Sequence, residues 1–135
     1  MAEDSKGAVI LIAENELIAA DLAQCLEDSG YEASDILTST AGALERIERS
    51  RVDVVMIDLA MRSEPDAFDV GDEIRRRTGL PVVYVIDNDE RLAQVLRKKG
   101  AQHYIPWPFE PWRLEGALET ALGSLGDLLV EEATG

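Results

Sequence analysis

Basic residues are scarce: 13 Lys and Arg stand against 27 Asp and Glu, leaving a formal net charge of -14. Nucleic-acid affinity comes mainly from clustered Lys and Arg, so no nucleic-acid partner is expected. Anionic membrane surfaces are disfavoured on the same ground, and no apolar run approaches the roughly 20 residues that span a bilayer. Cysteine is nearly absent. The one thiol, Cys25, cannot close an internal disulfide, and on its apolar helical stripe it reads as a small buried hydrophobe. The opening Met1 to Lys6 carries Glu3 and Asp4 with no basic leader, which points to a cytoplasmic location. The single histidine, His103, has no Cys or His at metal-ligand spacing and is assigned no chemistry. Glycine-rich phosphate loops and nucleophile-elbow patterns are also missing.

What is present is the balance of an ordinary globular protein, 46% apolar and 30% charged, in 135 residues. A chain of that length buries roughly two thirds of its unfolded surface in one core. No repeat or linker divides it, so residues 1-135 are expected to form one domain with a core at about 8-125 and a tail at 126-135. Ala8 to Ala13 and, apart from Asp53, Val52 to Ile57 are continuously apolar, as befits strands covered on both faces of a parallel sheet. Ser34 to Thr38, Pro81 to Ile86 and Gln102 to Ile105 supply three more.

Helical spacing recurs between them. Ile18, Leu22, Cys25, Leu26 and Ser29 lead to Gly30; Ala41, Leu44 and Ile47 follow Thr40 as a candidate cap; a third helix spans about Asp66 to Thr78. Asp89 caps a fourth through Leu92, Val95 and Leu96 to Gly100, and a fifth starts near Pro111 with Leu114, Leu118, Ala121, Leu122 and Leu125 on one stripe. Right-handed crossovers then give an α/β fold, a flavodoxin-like doubly wound five-stranded parallel sheet of order 2-1-3-4-5. In such sheets function gathers beyond the carboxyl ends of the strands, here Glu14, Asn15, Asp58, Ile86, Asp87 and Trp107. Glu14 and Asp58, ending neighbouring strands, could share a hard cation of the Mg²⁺ type. Taken alone, Glu14 reads rather as an exposed acid stabilised by a helix N-terminus.

Val9 to Ala19, with Glu14-Asn15-Glu16 at its centre, resembles the opening of bacterial response-regulator receiver domains. Val54 to Leu59 is similar to the family's phosphoacceptor strand, Pro81 to Val85 to its fourth strand, and Gly100, Ala101, Tyr104 and Pro108-Phe109 to its fifth-strand region. The resemblance implies that Asp58 is a carboxylate nucleophile taking a phosphoryl group from a histidine kinase, with Mg²⁺ neutralising charge. It also implies a cis Trp107-Pro108 bond and a Tyr104 side chain that rotates between outward and inward positions.

Three positions depart from the family pattern. The second acid of the metal pair is Asn15, which keeps a carbonyl oxygen but loses a charge, so Mg²⁺ binding through Glu14, Asn15 and Asp58 is expected to be weak. Ile86 stands where a Ser or Thr would hydrogen-bond the phosphoryl group, and Trp107 where a lysine would pair with it. Each lost charge-assisted contact is worth roughly 1.5–3 kcal/mol. Asp87 adds a nearby acid, and Arg62 is the loop cation that could substitute for the lysine, although loop arginines are usually solvated. Ile86, Trp107 and Tyr104 are thus degenerate switch positions. Trp107 could plug the vacated pocket or line a partner surface, and Trp112 could pack on the last helix.

The expected function is that of a stand-alone atypical receiver, not an enzyme, acting by contact with a histidine kinase or other signalling protein, with impaired phosphorylation-dependent switching. The alternative keeps Asp58 as a working phosphoacceptor that shuttles or sinks phosphoryl groups. The face formed by the fourth helix, fifth strand and fifth helix is the expected partner or homodimer surface, extended by Leu125, Leu128 and Leu129.

Overall fold

The computed structural model describes residues 5–60 and 66–134, with side chains through Gly123. Five strands, β1 (Ala8–Ile12), β2 (Glu32–Leu37), β3 (Val54–Asp58), β4 (Val82–Asp87) and β5 (Tyr104–Trp107), alternate with α1 (Glu16–Asp28), α2 (Ala43–Glu48), α3 (Ala67–Thr78), α4 (Glu90–Lys98) and α5 (Pro111–Thr134). All strand pairs are parallel and the order is β2-β1-β3-β4-β5, as the alternating pattern predicts.

Two cores result from the period-2 geometry of the strands. Val9, Leu11, Val54, Met56, Val83 and Val85 face Leu22 and Leu26 of α1 and Leu114 and Leu118 of α5. Ile10, Ile12, Val55, Ile57 and Tyr84 face Ile47 of α2, Ile74 of α3 and Leu96 of α4. Central strands therefore need apolar residues at consecutive positions, and every residue of β3 is buried. The two outer strands are built differently. β2 alternates between exposed and half-buried residues, and β5 has four residues, one of them Pro106.

Caps place the helix starts. Asn15, Asp66 and Asp89 each accept hydrogen bonds from backbone N–H groups of α1, α3 and α4. Gly79 ends α3 at φ 76°, a left-handed conformation that disfavours any side chain.

Several boundaries differ from expectation. β2 starts at Glu32, because Glu32 N–H already bonds Gly7 C=O at 2.9 Å. The cap before α2 is Gly42 in the left-handed region, while Thr40 is buried and instead gives its carbonyl to Ala43 N–H at 3.1 Å. β5 lies two residues later than expected, so Trp107 belongs to the strand and pairs with Asp87. Val95, on the apolar stripe of α4, is 46% exposed, because that helix rests on Ala93 and Leu96. α5 continues to Thr134 through Gly123 and Gly126. The side chains of Leu125, Leu128 and Leu129 lie outside the described residues. None of the described helices is long and apolar enough to cross a membrane.

Candidate functional site

Parallel strands deliver their last side chains to one edge, and β1, β3, β4 and β5 bring Glu14, Asp58, Asp87 and Trp107 there. Asp58 closes β3 and is 5% exposed, whereas Glu14 and Asp87 are exposed. Asp58 Oδ1 accepts a hydrogen bond from Ala60 N–H at 3.0 Å. Burial pushes its carboxyl above the usual carboxylate range; the Ala60 hydrogen bond opposes that, and the negative charges of Asp87 and then Glu14 add to it. Glu14, Asp58 and Asp87 thus share one electrostatic neighbourhood.

Asn15 serves a different purpose from the one expected. Its Oδ1 accepts from Leu17 N–H at 2.9 Å and Ile18 N–H at 3.1 Å, capping α1. The carbonyl oxygen counted as a metal ligand is therefore engaged in holding the helix start, an interaction worth about 1 kcal/mol.

Asp58 and Glu14 carry the oxygen donors that a hard cation takes, and a cation would relieve the repulsion that adds to the burial shift of the Asp58 pKa. They do not form a cage. Among the described residues no group of three or more His, Cys, Asp or Glu side chains is placed to hold a metal ion, since Coulombic reach extends further than ligation.

Ile86 is 3% exposed and packs in the core beneath α2, α3 and α4. Trp107 is half-buried and packs on the opposite core, edge-on to Phe109 with ring centroids 5.1 Å apart at 85°. Trp107-Pro108 is cis, as the resemblance implies. Trp112 is 68% exposed, which excludes the packing role considered for it. Cys25 is half-buried, and burial together with Asp28 and Asp21 raises its pKa, consistent with an unreactive thiol. Arg62 lies outside the described residues.

Tyr104 is half-buried, and its hydroxyl accepts a hydrogen bond from Arg97 Nη1 at 2.6 Å, while Arg97 Nη2 bonds Glu90 at 3.0 Å. The Arg97 contact was not visible in the sequence, because it depends on how α4 lies against β5. His103 is half-buried, its pKa is lowered by burial, and its Nε2 is buried without a hydrogen-bond partner.

The Asp58 shift has a measurable consequence. A carboxyl whose folded pKa is raised binds more protons folded than unfolded between the two values, so folding stability falls as pH rises through that window. Asp58→Asn removes the penalty. The variant is expected to be more stable than wild type near pH 7, with the difference shrinking to nothing below the ordinary carboxylate pKa; urea melts from pH 3 to 7 that run parallel would refute it.

The residues match known proteins along nearly the whole chain. A family model for the response regulator receiver domain matches residues 9–119. The transcriptional regulatory protein PdtaR of Mycobacterium tuberculosis is 32% identical over 125 residues, covering 91% of this chain and 60% of that protein. The sensory transduction protein RegX3 of Mycobacterium bovis is 29% identical over 121 residues, covering 89% and 52%. This chain therefore spans little more than half the length of these relatives. NtrX from Brucella abortus superposes with a TM-score of 0.76 at 25% identity, over 95% of this chain and 29% of that one. A receiver domain protein from Clostridium thermocellum shares the fold with a TM-score of 0.75 at 24% identity, over 90% and 98%. With the doubly wound sheet, the acidic strand ends and this match in hand, the chain belongs to the response regulator receiver domain family and is a signalling domain of two-component systems.

Proposed function

We propose that this domain is an atypical receiver that signals through protein contact, with phosphorylation at Asp58 weakened and uncoupled from switching. The observation that carries this reading is that the side chains at the three departing positions all have structural employment: Asn15 caps α1, Ile86 fills one core, and Trp107 packs on the other. None offers an ammonium or hydroxyl group to a phosphoryl oxygen. Asp58 would remain the only acceptor, with Glu14 and Asp58 the weak Mg²⁺ ligands. When bound, that ion would supply charge neutralisation for an incoming phosphoryl group. The partner would be a histidine kinase or another signalling protein, and the α4-β5-α5 surface its contact or a homodimer interface.

A specific observation favours the second reading, a phosphoryl shuttle or sink. Asp58 keeps its place at the end of the central strand, with Glu14 in the same acidic neighbourhood.

Incubation with Mg²⁺ and a small acyl phosphate, followed by intact-mass spectrometry, separates the two. A few per cent of adduct or less is the expected result. Near-stoichiometric adduct that disappears in Asp58→Asn would establish the phosphoacceptor reading instead.

A further inference from the structure

An open cleft of about 580 Å³ lies between α4 and α5 over β5, and Asp58 is not among the residues that line it. That volume falls within the range of small-molecule sites, roughly 300–1,000 Å³. Its apolar lining comes from Ile86, Ala93, Pro106 and Ala117. Tyr104 forms part of the wall, and the hydrogen bond from Arg97 together with the Arg97–Glu90 ion pair ties that ring to α4. The wall is therefore set before any ligand arrives, which reduces the ordering cost of binding.

Charge selects the ligand. Of the two acids at the cleft, Asp89 is engaged in capping α4 through Arg91 N–H at 2.9 Å, and Glu90 is neutralised by Arg97 at 3.0 Å. Arg113, which enters the cleft from α5, forms no ion pair among the described residues and leans on the Trp112 ring with 5.8 Å between guanidinium carbon and ring centroid. In a chain of net charge -14, an arginine without a carboxylate partner beside an apolar cleft is a binding preference for anions.

We propose that this cleft is a binding site for a small amphipathic organic anion, with a flat apolar body on the Ile86–Pro106 floor and one carboxylate or sulfonate at Arg113. Such a molecule would touch Ile86 and Tyr104 directly. It would thereby give the domain a chemical input at the two residues that, on the function proposed above, are uncoupled from Asp58, while changing the surface that α4, β5 and α5 offer to a partner.

Gly116 supplies the decisive variant, because a Cβ built there meets nothing within 4 Å. Gly116→Phe can fill the cleft without disturbing the core. Titration of the full chain with anilinonaphthalenesulfonate, followed by dye fluorescence, is the test, with near-UV circular dichroism confirming native packing in every variant. Wild type should bind saturably. Affinity should fall at least about tenfold in Gly116→Phe and about tenfold in Arg113→Glu, and stay unchanged in Asp58→Asn. Absence of saturable binding, or equal binding by wild type and Gly116→Phe, would overturn the proposal. So would tighter binding of benzylamine than of benzoate when each competes with the dye. Light scattering that shows a dimer broken by Gly116→Phe, with no dye bound by the monomer, would assign the cleft to a second copy instead.

Discussion

Asn15→Asp, Ile86→Thr and Trp107→Lys combined in one chain are expected to raise the initial rate of aspartyl phosphate formation at Asp58 at least about 100-fold over wild type, with the same acyl phosphate and Mg²⁺. Two charge-assisted contacts at about 1.5–3 kcal/mol each sum to about 3–6 kcal/mol, and a factor of 100 requires only about 2.7 kcal/mol. The margin matters, because the substitutions have costs. Ile86 is 3% exposed, so a threonine hydroxyl there is buried until a phosphoryl group arrives, at roughly 1–3 kcal/mol. Trp107→Lys gives up the edge contact with Phe109. Asn15→Asp is the mildest change, since aspartate caps a helix as well as asparagine does. The triple variant should therefore melt earlier than wild type yet phosphorylate far better below its midpoint. An initial rate unchanged from wild type in a folded triple variant would mean that these three residues are not what limits Asp58.

Gly71→Ala is expected to destabilise the domain by about 2 kcal/mol, lowering the melting temperature by roughly 6–10 °C. Alanine ordinarily strengthens a helix by up to about 1 kcal/mol over glycine, so the direction is diagnostic. A Cβ at position 71 of α3 would lie 2.8 Å from Tyr84 Cε1 and 2.9 Å from Cζ, closer than real contacts allow. Tyr84 has no room to retreat: it is 4% exposed, stacks on Phe68 with centroids 5.1 Å apart, and its hydroxyl bonds Phe68 C=O at 3.3 Å. Burial also holds the phenol far above its usual pKa, so it stays a neutral donor at any ordinary pH. Gly116→Ala on the open side of α5 is the control and should raise the melting temperature. If Gly71→Ala does the same, α3 does not sit on Tyr84 as described.

The sheet was legible because its central strands leave no polar alternation. Val9 to Ile12 and Val54 to Ile57 have helices on both faces, and only a doubly wound parallel arrangement explains such runs in a chain this polar. Boundaries were harder at the outer strands. There one backbone side is solvated and burial alternates, so Glu32 looked like loop and Gln102 like strand. The acids at the strand ends, Glu14, Asp58 and Asp87, followed from position alone. What Asn15 does with its oxygen did not, because metal ligation and helix capping ask for the same atom in the same place. The clamp of Arg97 on Tyr104 needs the third dimension altogether.

The outer strands also bear on solubility. Parallel sheets propagate when a free row of N–H and C=O groups finds the same row on another molecule. β5 presents only four residues, and Pro106 among them has no N–H to give. β2 is longer, but it carries the exposed Glu32, whose charge repels an identical strand laid alongside. Growth of the sheet from molecule to molecule is thereby discouraged at both of its edges.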